Sequence, residues 1–114
     1  MHLYRALSCE ESEVEPEQLQ QVAFLAKSLS DVNRLRILHC ISGEQKSVSA
    51  IVEELGLSQP LVSHHLKELK HSLLVTVERQ GPFIYYELAD QRILQIVEML
   101  IQVANDLISG RKMF

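Results

Sequence analysis

The chain has no tryptophan, two cysteines, four glycines and three prolines in 114 residues. Two cysteines cannot form a disulfide framework, which excludes a small stapled scaffold and is consistent with a reducing compartment. So little glycine and proline excludes a loop-rich chain, and a hydrophobic content of 46% points to a helix-rich globular protein. The longest apolar runs, such as "ILHCI" and "LLVTV", fall far short of the about 20 residues that span a bilayer, so no membrane association is expected. The opening "MHLYRALSCEESEVEPEQ" lacks the cationic start, apolar middle and cleavage site of a secretory signal, and a cytoplasmic location is the expectation. The length suits one domain with a modest core and is short for an enzyme with a deep pocket.

A net charge of −4 argues against a nucleic-acid partner until the charges are located. Glu10, Glu11, Glu13, Glu15 and Glu17 share one short segment, and from residue 18 onward ten acids balance ten bases. Most of the excess belongs to an acidic tail, residues 1–15, which reads as a solvated lead-in. Residues 16–110 read as the domain.

Pro16 and the spacing of Leu19, Val22, Ala23 and Ala26 predict a first helix, about residues 16–28. Ser30 or Asp31 caps a second over "VNRLRILHCIS", which stops at Gly43. Ser47 or Ser49 caps a short third helix ending at Gly56, and two residues later Ser58 caps a fourth. Two helices joined by so tight a glycine turn are a helix-turn-helix. The period then shifts to two in "LLVTVER" and "FIYYEL", which "QGP" joins as a β-hairpin. A last helix, about residues 91–108, carries a broad apolar stripe of Ile93, Ile96, Val97, Leu100, Ile101, Ala104, Leu107 and Ile108. The expected fold is mainly α with a hairpin wing (α+β), a winged helix-turn-helix of four helices, two strands and a final helix.

"SQPLVSHHLKELK" contains the adjacent pair His64 and His65. Neighbours on a helix differ by about 100° in direction, so the two cannot readily grip one ion. Leu61, Val62, Leu66 and Leu69 define a buried side that includes His65, a structural histidine expected to bond core backbone. His64 joins Pro60, Ser63, Lys67 and Lys70 on the other side, a hydroxyl, imidazole and ammonium row suited to phosphates and base edges in a major groove. Gln59 adds an amide able to bond adenine bidentately. Arg79, with Gln80 and Gly81 at the hairpin tip, is placed to reach a minor groove or phosphate. The plain alternative is an ordinary solvated face; the tight turn, the hairpin and Gln59 together weigh against it.

Three segments, "LSDVNRLRIL", "SAIVEELGLSQPLVSHHLKELKHSLLV" and "ERQGPFIYYEL", resemble in order and spacing the ArsR/SmtB family of bacterial winged-helix repressors, over about residues 19 to 108. The resemblance implies a homodimer with the first and last helices at the interface, and recognition helices in successive major grooves of an imperfectly palindromic operator. Half-site centres would lie about 34 Å apart. The implied DNA contacts are Ser58, Gln59, Ser63, His64 and Lys67, with Lys70 and Arg79 on phosphate or minor groove. Ser47 and Ser49, at a helix start, suit a phosphate. The dimer also has support from the residues: a few short helices cannot easily cover the stripe from Ile93 to Ile108, and Leu19, Val22 and Ala26 add to it.

Members of this family typically release DNA on sensing a metal or other signal. Ser47 and Ser49 stand where soft-metal sensors have a Cys-x-Cys pair, and a hydroxyl cannot replace a thiolate there. Asp90 is followed by Arg92 where zinc sensors have Asp-x-His, and the last helix has no histidine. No metal or other cofactor is therefore expected. Cys9 and Cys40 remain, with His2 and His39, as candidate sensor groups; Cys40 lies near Arg36, which would favour its thiolate somewhat. The competing readings are Cys40 as a small packed residue, a ligand pocket at the dimer interface, and regulation without a ligand. No catalytic order of Ser, His and Asp, phosphate loop or paired carboxylate stands out, so an enzyme is not expected. A winged helix that binds protein rather than DNA is the other class to separate.

Overall fold

The computed structural model describes residues 13–111. Pro16–Ser28 form α1, Val32–Cys40 α2, Lys46–Ser47 β1, Val48–Leu55 α3, Gln59–His71 α4, Val75–Gln80 β2, Phe83–Leu88 β3 and Arg92–Arg111 α5. The expected order holds, with one addition. The two residues of β1 pair antiparallel with β3, so the hairpin is a three-stranded sheet in the order β1-β3-β2. A two-residue strand has no periodicity to read, and its pairing with Tyr85 and Tyr86 lies far along the chain.

The helix boundaries follow local chemistry. At α1 the Glu15 N–H donates to Gln18 Oε1 at 2.8 Å, half of a capping box, and Pro16 sits where its missing N–H costs nothing. Asp31, rather than Ser30, caps α2 by accepting from the Arg34 N–H at 3.0 Å. Ser47, rather than Ser49, caps α3 by accepting from Ala50 N–H at 3.2 Å. Gly56 ends α3 with φ 66°, a left-handed conformation that glycine adopts without a Cβ penalty. Ser58 then caps α4 through Leu61 N–H at 3.3 Å.

α4 ends in a Schellman turn: Leu73 N–H donates to Lys70 O and Leu74 N–H to Leu69 O. The left-handed position in that turn is occupied by Leu73, at φ 69°. It is the only non-glycine residue with positive φ among the described residues.

The core lies between α2, α3, α4 and the sheet. Ile37, Ile41, Ile51, Val62, Leu66 and Leu69 are completely enclosed, joined by Leu38, Leu74, Val75 and Leu88. The sheet register puts Val75, Val77, Ile84, Tyr86 and Leu88 on the inner face, as the alternation predicts. Arg34 anchors the end of α1 to α2, its Nε donating to Ser28 O at 2.7 Å, and Arg36 Nη2 donates to Leu55 O at 2.8 Å, tying α2 to α3.

Two elements stand apart from this body. α1 has no buried residue. Among the described side chains of α5 only Ile93 is buried, and everything from Glu98 to Gly110 is exposed. The segment Arg92–Gly110 is, by length and composition, apolar enough to cross a membrane, although no single apolar run within it is long. Gln95, Glu98, Gln102, Asn105 and Ser109 recur at helical spacing and give that helix one polar side.

Candidate nucleic-acid interface

On α4 the buried side is Val62, His65, Leu66 and Leu69, with Leu61 half-buried. Gln59, Pro60, His64, Lys67 and Lys70 are exposed on the other side, and Ser63 is half-buried between them. The histidine pair thus separates as its angular offset requires. His64 faces solvent, while His65 is only 6% exposed.

The expected backbone bond of His65 is not made. Its Nε2 lies 3.8 Å from Asp31 Oδ1, and its Nδ1 is buried without a hydrogen-bond partner. The capping carboxylate at the start of α2, more than a helix away in sequence, occupies the space in front of the ring. The bond from the Arg34 N–H, aided by nearby His65 and Arg34, holds the Asp31 carboxyl below its ordinary value.

Two of the predicted serine contacts are already engaged as helix caps. Ser47 and Ser58 hydroxyls accept backbone N–H bonds, which leaves Ser49, exposed in the first turn of α3, as the freer hydroxyl. Gln59 Nε2 donates to Ser63 Oγ at 3.1 Å, an i to i+4 contact that no apolar pattern discloses. Arg79 is exposed, but it pairs with Ile84 within the ladder rather than standing in the turn. The turn itself is Gly81 and Pro82, with Gly81 at φ 62°. Phe83, just beyond it, is an exposed aromatic that sequence reading did not single out.

The interface residues divide. Leu19, Val22, Ala26, Ile96, Leu100, Ile101, Ala104, Leu107 and Ile108 are exposed, Leu107 by 68%. Ile93 instead belongs to the chain's own core, and Val97 is half-buried in a crevice with Leu38, Leu88 and Ile93. They lie at the start of α5, where the helix still leans on α2 and β3; the rest runs past the body. Phe24, Leu25, Met99 and Val103, missed in the sequence because they flank the assumed stripe, extend the exposed apolar surface. An open groove of about 700 Å³ between α1, the α4–β2 turn and α5 is lined by Leu25, Leu73, Leu74, Ile96, Met99 and Leu100.

Cys40 corrects another expectation. Its Sγ donates to Glu54 Oε2 at 3.1 Å, Lys46 Nζ lies 3.8 Å away, and Lys46 and Glu54 form an ion pair at 2.7 Å. Arg36 is committed to Leu55 and Asn33. Partial burial, and then the carboxylate of Glu54, push the Cys40 thiol pKa up, so the thiolate is disfavoured. Cys9 and His2 lie outside the described residues. Among the described residues no three His, Cys, Asp or Glu side chains cluster as a metal site would need.

Residues 31–77, from the Asp31 cap into the wing, match the family model "Bacterial regulatory protein, arsR family". The transcriptional repressor SdpR of Bacillus subtilis is 32% identical over 79 residues, which cover 69% of this chain and 88% of the relative. The chain belongs to the arsR family of bacterial regulatory proteins. Among solved structures, the homodimeric winged helix-turn-helix DNA-binding domain of a possible ArsR-family transcriptional regulator from Mycobacterium bovis superposes with a TM-score of 0.73 at 26% identity, covering 87% of this chain and 94% of that domain. NolR from Sinorhizobium fredii does so with a TM-score of 0.69 at 27% identity, covering 81% and 95%. Membership makes this a winged helix-turn-helix protein of a regulator family rather than an enzyme family.

Proposed function

We propose that this chain is a sequence-specific DNA-binding transcriptional repressor that acts in the bacterial cytoplasm as a homodimer. The observation that carries the reading is the exposed row Gln59, Ser63, His64, Lys67 and Lys70 on α4, opposite the side locked into the core. A helix held this firmly fixes the spacing of the backbone positions that carry the row, which base reading in a major groove requires. Gln59, with Ser63 beside it, and His64 face base edges; Lys67, Lys70 and Arg79 take phosphates or the minor groove; Ser49, with Ser47 and Ser58 holding the helix starts, adds phosphate contacts. Leu19, Val22, Ala26, Ile96, Leu100, Ile101, Ala104, Leu107 and Ile108 pack against a second copy, and an imperfect palindrome matches the resulting two-fold axis. The relief of repression comes from a signal other than a metal at the positions of Ser47 and Ser49 or of Asp90 and Arg92, since Ser47 is a cap and Asp90 is held by Arg92 at 2.8 Å.

The test is a gel shift with the DNA upstream of the chain's own gene across a salt series. Specific binding that falls steeply with salt is expected, and His64→Ala should weaken it by about 1–3 kcal/mol. A folded protein that shifts no duplex at low salt contradicts the regulator and favours a protein-binding winged helix.

A further inference from the structure

We infer that Ser63 is a positioning residue for Gln59, and that the two form one reading unit for an adenine in each operator half-site. The inference rests on the DNA-binding function proposed above. Gln59 is the first residue of α4 and exposed, so its carboxamide would ordinarily rotate freely. The bond from its Nε2 to Ser63 Oγ favours one orientation over the others. An amide carries two N–H donors and one carbonyl acceptor. With the N–H trans to Oε1 bound to Ser63, the N–H beside Oε1 and that oxygen are left as an adjacent donor and acceptor. Adenine presents the complement in the major groove, its N7 accepting and its N6 amino group donating. Guanine offers two acceptors there, so the held amide meets O6 with its own carbonyl oxygen and is rejected.

Ser63 suits the supporting role because it is half-buried, between the packed side of α4 and the exposed row. The helix fixes its backbone through Val62 and Leu66, which are completely enclosed on either side of it. The anchor therefore belongs to the rigid body, and only the amide projects. Among the described residues the rest of the row makes no such side-chain bond: His64 stands beside the His65 ring, 5.5 Å between centroids, and Lys67 and Lys70 carry flexible point charges. Discrimination is thus concentrated at the start of α4, with the basic side chains supplying sequence-independent affinity.

The experiment selects preferred duplexes from random-sequence DNA with the full chain, then repeats the selection with Gln59→Ala, Ser63→Ala and Ser63→Thr. The wild type should enrich adenine at one position of each half-site, and replacing that adenine by 7-deazaadenine should weaken binding about tenfold, within the range of a bidentate contact. Gln59→Ala should abolish the preference. Ser63→Ala should reduce it about three- to tenfold while leaving the salt dependence unchanged, Ser63→Thr should keep it, and the double variant should resemble Gln59→Ala alone. Selection of specific duplexes with full adenine preference in Ser63→Ala, or loss of it in Ser63→Thr, overturns the reading unit and leaves the regulator standing. Failure of the wild type to select any sequence overturns both.

Discussion

The middle of this chain and its two ends both carry large apolar side chains and put them to opposite use. Between Ile37 and Leu88 most large aliphatic side chains, Leu73 excepted, pack into or against one core, whereas α1 and most of α5 leave Leu19, Val22, Phe24, Met99, Leu100 and Leu107 in solvent. Area of that kind is unfavourable in water at about 25 cal/mol per Å², so the ends are complete only when something covers them. The body holds the core; on the proposed reading the ends are the surface where two copies meet. The turn after α4 is where the two meet, because Leu73, one residue from the packed Leu74, lines the same groove as Leu25.

The strongest way to break the comparison is to strike the body. Leu66→Ala, at a completely enclosed position, should cost about 2–5 kcal/mol of unfolding free energy in a denaturant titration. A cost near zero would mean that the core is not where stability resides. Leu100→Glu should act in the opposite way, weakening the dimer about thirtyfold or more by sedimentation velocity, with an unchanged circular dichroism spectrum. Loss of the spectrum would show that α5 supports the body after all.

The two regions separate most sharply at Leu73. Glycine there relieves a left-handed backbone and should stabilise the monomeric unit by about 1 kcal/mol, measured in the Leu100→Glu background. In the otherwise wild-type chain the same change should weaken the dimer, because a side chain that is 72% exposed is removed from the groove. A change of the same sign in both assays would break the division.

The smallest effect concerns Cys40. A raised thiol pKa means less thiolate at any pH below it, so alkylation by iodoacetamide at pH 8 should be slower than for an unstructured peptide thiol. Glu54→Gln removes the negative charge beside the sulfur and should speed the reaction, read in a Cys9→Ser background. An accelerated rate in the parent chain would return Cys40 to the list of sensing thiols.

Local signals made much of the fold legible. Gly56 and Ser58 announce the tight turn because their chemistry acts within four residues, and the periods of α4 and the hairpin give their inner faces directly. The angular offset of His64 and His65 was enough to assign one outward and one inward. What escaped depends on partners distant in sequence. Cys40 meets Glu54 across fourteen residues, His65 meets Asp31, and Ile93 turns inward because α2 and β3 pass beneath it. The Gln59 and Ser63 contact is local, yet it concerns side-chain direction rather than helix face, and periodicity carries no information on that. At the ends, spacing found the stripe but not its width, since Phe24, Leu25, Met99 and Val103 become recognisable only once nothing is seen to cover them.

The central claim is that the exposed ends assemble two copies so that two α4 helices read one duplex. Sedimentation equilibrium of the chain mixed with a duplex from its own upstream region, at low salt, tests this most directly. Two copies of the chain on one duplex is the predicted result; a folded single chain that leaves the duplex free would contradict it.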